Sequence, residues 1–310
     1  MISYEQELQL HQINKIPAFE GWYFRVIDKQ LSVACIIGIA KTKEKQEVFI
    51  QVFHTLSQKM ERVSYDISEF QYQDIPFMIK IKKTILKKHY IHIEDENLSV
   101  NIDLELEMPK YIRTTPFAPT IMGPFAYLKN MECNHAITNL GSATKGHLQF
   151  QNMKYDIEGI IYQEKDWGTS FPSKYFWVQS HCCQKKDAIL FLSCATIPLK
   201  KFHFTGVIMN LVVEGKEYNI ASYYGAYVVK AKKIGNNYRL TIRQGQYLIK
   251  CYLKMGPTYI LDAPKEGQMI RQIEECLLGE AIIKIYKYKK CIEVLTFDHC
   301  GMENDQFFTA

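Results

Sequence analysis

Hydrophobic and polar positions alternate with period two along most of the chain. Val100, Ile102, Leu104, Leu106 and Met108 interleave with Asn101, Asp103, Glu105 and Glu107, which predicts a strand with one buried face. Residues 78–81, 90–94, 155–162, 238–243 and 247–253 follow the same rule. Turn signals at Gly141-Ser142, Gly215-Lys216 and Asn236-Asn237 punctuate these runs. One stretch differs: after Pro264, residues Met269, Ile270, Ile273, Cys276 and Leu277 fall at helical spacing, with Gly279 placed to end them. A late α-helix is therefore expected there, followed by strands at 282–288 and 291–297. Many short strands and one late helix predict an all-β protein of the barrel or sandwich type.

Composition narrows the class without naming a chemistry. With 310 residues and 47% of them hydrophobic, the chain can bury one large core or two ordinary ones. The net charge of +5 is spread along alternating strands, so a dedicated nucleic-acid surface is not expected; contact with a membrane surface would be transient. No charged segment followed by an apolar run opens the chain, which predicts no signal peptide. The nine cysteines include no CxxC pair, and an odd, scattered set fits reduced thiols and a cytoplasmic location. Nothing in the sequence sets the oligomeric state.

The most informative stretch runs from Tyr162 to His181, YQEKDWGTSFPSKYFWVQSH. On a strand Tyr162, Glu164 and Asp166 share one face; after the Gly168–Pro172 break, Tyr175, Trp177, Gln179 and His181 share another. Aromatic rings with a few placed acids suit an apolar pocket in which carboxyls move protons. The plainer reading is a hairpin with core aromatics and solvated acids. In that reading Glu164 and Asp166 pair with Lys165, Lys174 or Arg25, and Glu20 closes a barrel end by pairing with Arg25.

This stretch resembles the signature of the tocopherol cyclase family, in which Trp-Gly-x-Ser-Phe-Pro leads into an aromatic Trp-x-Gln strand. FEGWYFR (19–25) and GPFAYLKNMECNHAI (123–137) are similar to two further family segments, and weaker similarity continues near Cys194 and Tyr224. His181 stands where the family usually has Asn. The resemblance implies two lipocalin-like antiparallel β-barrels in tandem, akin to those of carotenoid hydratases, with domains at 1–150 and 151–310.

It also implies a reaction: protonation of a trisubstituted alkene in a prenylated quinol or related isoprenoid lipid, followed by ring closure through the phenolic oxygen. That chemistry needs an acid that stays protonated near neutral pH, aromatic faces to steady a cation, and a dry site. Glu164 and Asp166 are the candidate acids and His181 a candidate base. Glu20, Trp22, Tyr23, His135, Tyr162, Trp167, Phe171, Trp177 and Gln179 are the candidate substrate-binding residues. No cofactor is expected, and no metal, because Cys182, Cys183 and His181 lack a second ligand cluster at zinc spacing. Nucleotide-binding, HExxH and GxSxG patterns are absent as well. The alternatives are a lipocalin-like carrier of a hydrophobic small molecule that does no chemistry, or a hydratase of an isoprenoid double bond.

Overall fold

The computed structural model describes residues 4–128, 131–199 and 202–308. They are almost entirely β, and they form two compact units: 1–171 with 261–272, and 172–260 with 273–310. The division follows Phe171, later than the boundary near 150 expected from the sequence. The reason is a long hairpin, β10 (Cys133–Phe150) and β11 (Met153–Gly168), whose strands pair along their length and cannot be parted between units.

The first unit begins with a short helix, α1 (Tyr4–Leu8), followed by β1 (Ala18–Ile27), β2 (Ser32–Lys41), β3 (Gln46–His54) and β4 (Glu61–Asp66). Then come β5 (Phe70–Gln73), β6 (Met78–Ile81), β7 (Thr84–Lys87), β8 (Tyr90–Ile93) and β9 (Val100–Leu106), and finally the β10–β11 hairpin. The sheet order is β4-β3-β2-β1-β11-β10-β9-β8-β7-β6-β5, so the two edge strands are consecutive in the chain and the sheet curls into a nearly closed barrel. Alternation sets its inside. Trp22, Phe24 and Val26 of β1, Val33 to Ile39 at odd positions of β2, and Ile157 and Ile161 of β11 fill one core. The remaining positions of β1 are also covered, since nine of its ten residues are buried.

The second unit has its own core, built from β12 (Tyr175–Ser180), β13 (Cys182–Cys183), β14 (Ala188–Leu199), β15 (Phe202–Val213), β16 (Lys216–Ala221) and β17 (Tyr227–Ile234). It continues with β18 (Asn237–Gln244), β19 (Tyr247–Lys254), β20 (Thr258–Lys265), β21 (Gln268–Lys287) and β22 (Lys290–Asp305), of which the parts of β20 and β21 within 261–272 belong to the first unit. A four-stranded sheet, β12-β14-β15-β16, and a seven-stranded sheet, β13-β22-β21-β19-β18-β17 with β20 beside β21, supply that core. All of the nine cysteines carry free thiols. No helix among the described residues is long and apolar enough to cross a membrane.

Two sequence expectations are corrected. The late helix at 269–277 is the first half of β21, and the one α-helix among the described residues is α1. Ile273, Leu277, Ala281, Ile283 and Ile285 are buried while Ile270 is 63% exposed and Leu278 42%, a period-two pattern that pairing of β21 with β20 and β22 enforces. Tertiary pairing outweighs a helical spacing of only a few residues. The Gly141-Ser142 turn is instead a bulged part of β10, where the register slips between Ile137 and Ser142. The Asn139 side chain satisfies the bulge: its Oδ1 accepts from Gly141 N and Lys110 N, and its Nδ2 donates to Ser142 Oγ at 2.7 Å.

Candidate active site

Parity along β11 divides the signature between two faces of the first barrel. Ile161 points into the core, so Gln163, Lys165 and Trp167 face inward, while Tyr162, Glu164 and Asp166 face outward. Directly opposite residues of an antiparallel pair share a face, and β10 sets His135 opposite Asp166. The outward face thus gathers a histidine, two carboxylates and a phenol.

Its geometry is close. His135 Nδ1 lies 2.9 Å from Asp166 Oδ1, and His135 Nε2 lies 3.8 Å from Glu164 Oε2. Tyr162 Oη donates to the same Glu164 oxygen at 2.5 Å. The site is shielded: Tyr162 is wholly buried, and the His135, Glu164 and Asp166 side chains are 13%, 9% and 18% exposed. Burial alone would push His135 down, but the charges of Asp166 and Glu164, the hydrogen bond to Asp166 and the charge of Glu7 outweigh it and bring it up to about 9. Its imidazole is therefore a cation at neutral pH. Burial and the neighbouring Glu164 carboxylate push the Tyr162 phenol well above its usual range. Glu164 also borders a narrow, partly open recess lined by Leu8, Trp22, Tyr23, Phe24 and Phe77 among others. One ligand atom each from His135, Glu164 and Asp166 fall within 4.8 Å of one another, so this group can also hold a metal ion.

The inward face carries a second buried charge site. Lys165 Nζ lies 2.5 Å from Glu20 Oε1, with both side chains fully buried. The expected Glu20–Arg25 pair does not form, because residues five apart on a strand point to opposite faces. Nor can Lys165 serve Glu164 or Asp166, its neighbours in sequence. Lys165 instead donates to the backbone carbonyls of Glu7 (3.0 Å) and Gln9, and its ammonium sits 4.8 Å from the Trp22 ring and 5.0 Å from that of Trp167. The Glu20 carboxylate accepts from His11 N and Gln12 N, and Trp22 Nε1 donates to Leu8 O at 3.0 Å. These contacts fasten the segment after α1 to the end of the barrel. Burial raises the Glu7 carboxyl to about 8 against the opposing charges of His135 and Lys165.

The family model for tocopherol cyclase-like proteins matches residues 92–304. The chain belongs to that family. No curated protein matches it. Among solved structures, this tocopherol cyclase-like chain is similar to an AttH protein of Nitrosomonas europaea at 9% identity and TM-score 0.58, covering 98% of this chain and 96% of that one. CghA crystallised with a bound compound is similar at 9% identity and TM-score 0.59, covering 93% and 88%. Kievitone hydratase of Nectria haematococca is similar at 9% and 0.54, with the same coverage. At such identities the likeness concerns the fold.

The other candidate residues of the tocopherol cyclase-like protein fall as follows. Trp22 and Tyr23 line the recess from β1. Phe171 packs edge-on against Phe19 at 5.4 Å, and Trp167 stacks on His11 at 4.5 Å. Trp177, Gln179 and His181 belong to the second unit. Phe176 and Val178 join its core, so Trp177 and Gln179, both buried, lie on the other face of β12. Gln179 Nε2 donates to His181 Nδ1 at 3.1 Å. Two residues with chemistry were not singled out from the sequence, Glu7 and Lys165. Lys165 had a signal, because its parity separates it from the acids on either side. Glu7 had none, since it reaches the site from a helix outside every motif.

Proposed function

We propose that the protein is an intramolecular cyclase that protonates an alkene of a prenylated quinol or related isoprenoid lipid and closes a ring without a cofactor. His135, held cationic between Asp166 and Glu164 on a shielded face, carries this reading. The imidazolium passes its proton to the less substituted alkene carbon, leaving a tertiary cation. The phenolic oxygen of the substrate attacks that cation, and its proton returns through Glu164 to the imidazole. No atoms are gained or lost. Asp166 holds the ring through Nδ1, as a carboxylate orients a catalytic histidine elsewhere. Tyr162 orients Glu164, and Tyr23, set opposite Glu164 by the register, supplies π surface beside it.

Family membership supports the reading, and so does fold similarity to a hydratase, since hydration starts from the same protonated alkene and differs in the nucleophile admitted. A carrier has no use for a shielded proton-loaded cluster. The test is turnover of a panel of prenylated hydroquinones by purified protein, followed by mass spectrometry. A product of unchanged mass is expected, carrying one deuterium on carbon when the reaction runs in heavy water. His135→Gln should slow turnover by roughly 10²–10⁴-fold while substrate binding persists. A product heavier by one water would assign a hydratase instead, and a bound but unconsumed lipid across the panel would assign a carrier.

A further inference from the structure

The larger sheet of the second unit carries an unbalanced positive face. Segments 227–234, 237–244, 247–254 and 280–287, which pair side by side in β17, β18, β19 and β21, contain nine Lys and Arg residues and one carboxylate. That carboxylate, Glu280, already binds Lys254 at 2.9 Å. Lys230, Lys232, Arg239, Arg243, Lys250 and Lys284 share the outward face, because their registered neighbours on the inward side, Leu240, Ile242, Ile249 and Ile283, are core. The register sets Lys232 opposite Arg239 and Lys250 opposite Lys284. Like charges placed directly opposite destabilise a sheet, and nothing in the folding of this unit requires them.

Rings and aliphatic groups are interleaved with these charges. Lys250 Nζ lies 5.1 Å from the Tyr286 ring, and Lys284 Nζ lies 5.6 Å from the ring of Tyr252, two reciprocal diagonal contacts across β19 and β21. On the same face Tyr227 is 53% exposed, Ile282 38% and Val294 56%; they sit opposite Arg243, Tyr252 and Lys284 in turn. Long cationic side chains reach headgroup phosphates while their stems stay on apolar ground, and tyrosine sits at headgroup level. Exposed aliphatic groups gain nothing from the sugar-phosphate backbone of a nucleic acid, whose affinity comes from phosphate contacts, but they gain from a lipid interface. We propose that this face docks the protein on a membrane surface rich in anionic phospholipid. The proposal is independent of the reaction assigned above.

The test is co-sedimentation of the full chain with vesicles of phosphatidylcholine alone and of phosphatidylcholine with about one-third phosphatidylglycerol. Binding is expected to the anionic vesicles only and to fall as salt is raised, since exposed charges are screened over about 8 Å at physiological ionic strength. Each cation near such a surface contributes about fivefold in partition, so Arg239→Gln, Lys250→Gln and Lys284→Gln together should weaken binding on the order of a hundredfold. Thermal unfolding checks that the triple variant folds; if it does not, Lys250→Gln alone should weaken binding by about fivefold. Equal binding to neutral vesicles, no binding to anionic ones, or unchanged binding by the folded variant would overturn the proposal. Tighter capture of a single-stranded oligonucleotide than of the anionic vesicles would reassign the face to nucleic acid.

Discussion

Lys165 and Glu20 face each other inside the first barrel, Nζ 2.5 Å from Oε1, with neither side chain reaching solvent. The strands that carry them are neighbours, and the register sets Trp22 opposite Lys165 and Trp167 opposite Glu20, so two indoles flank the pair. Burial lowers the Lys165 pKa while Glu20 opposes that shift. Every donor of the ammonium has an acceptor, which is the condition under which a buried pair is tolerable.

Breaking that pair should therefore be expensive. Lys165→Met leaves a buried carboxylate without its cation and should cost about 3–5 kcal/mol. The double variant Lys165→Met, Glu20→Gln should cost less than the sum of the two single ones, because the second change removes the stranded charge. Urea unfolding of the four proteins measures the coupling, and additivity would refute it.

Stability should fall as the solution becomes alkaline. Both His135, raised to about 9, and Glu7, raised to about 8, hold protons more tightly folded than unfolded. Their contributions are complete below the ordinary values of 6.5 and 4.5 and vanish as pH rises through the folded ones. Unfolding free energy should thus decline between pH 5 and pH 9 by about the sum of these two proton affinities, not rise. Glu7→Gln should flatten the lower part of the profile and His135→Gln the upper part. A profile unchanged by both variants would contradict the assignment.

Within the proton cluster, Asp166→Asn and Glu164→Gln should separate holding from delivery. The Asn variant leaves Nδ1 of His135 without the carboxylate charge that holds its proton, so the alkaline limb of the pH–rate profile should move to lower pH. The Gln variant removes the acceptor of the phenolic proton and should lower kcat by roughly 10²-fold or more with little change in KM. A pH–rate profile identical to wild type in the Asn variant would show that Asp166 does not set the His135 charge.

A metal is not required by this chemistry, although His135, Glu164 and Asp166 offer a donor set. Any ion there must displace a proton from the His135 imidazolium. Protein purified without added metal should contain less than one tightly held ion per chain by elemental analysis. Stoichiometric zinc or iron lost in the His135→Gln variant would replace the acid reading with a metal one.

Gly168 ends β11 with φ +157°, and a Cβ there would sit 2.1 Å from the Glu132 carbonyl oxygen. Gly168→Ala should cost about 1–3 kcal/mol or more, because backbone cannot move aside. Gly215, with φ +78° and open space around it, needs only left-handed backbone, so Gly215→Ala should cost about 1–2 kcal/mol. Melting curves of both variants compare the two causes directly.

Alternation alone was enough to place Tyr162, Glu164 and Asp166 on one face, because strand side chains point to opposite sides in turn whatever the fold around them. The same rule identified the all-β class, and the ordered motifs from Phe19 to His181 carried the family. What alternation could not supply was which face became the inside, since that depends on the core a closed sheet encloses. Hence Trp22 and Trp167 were grouped with the acids, although parity sets them against the core with Lys165. Long-range pairing decided the rest. Glu20 met Lys165, not Arg25, because β1 lies beside β11. Residues 269–277 became strand because β20 and β22 pair with β21. Glu7 came to the cluster from the far end of the chain, where no local spacing ties a residue to a strand formed more than a hundred positions later. A sequence pattern fixes the direction of a side chain relative to its neighbours, whereas its partner and its solvent are set only when distant strands close upon each other.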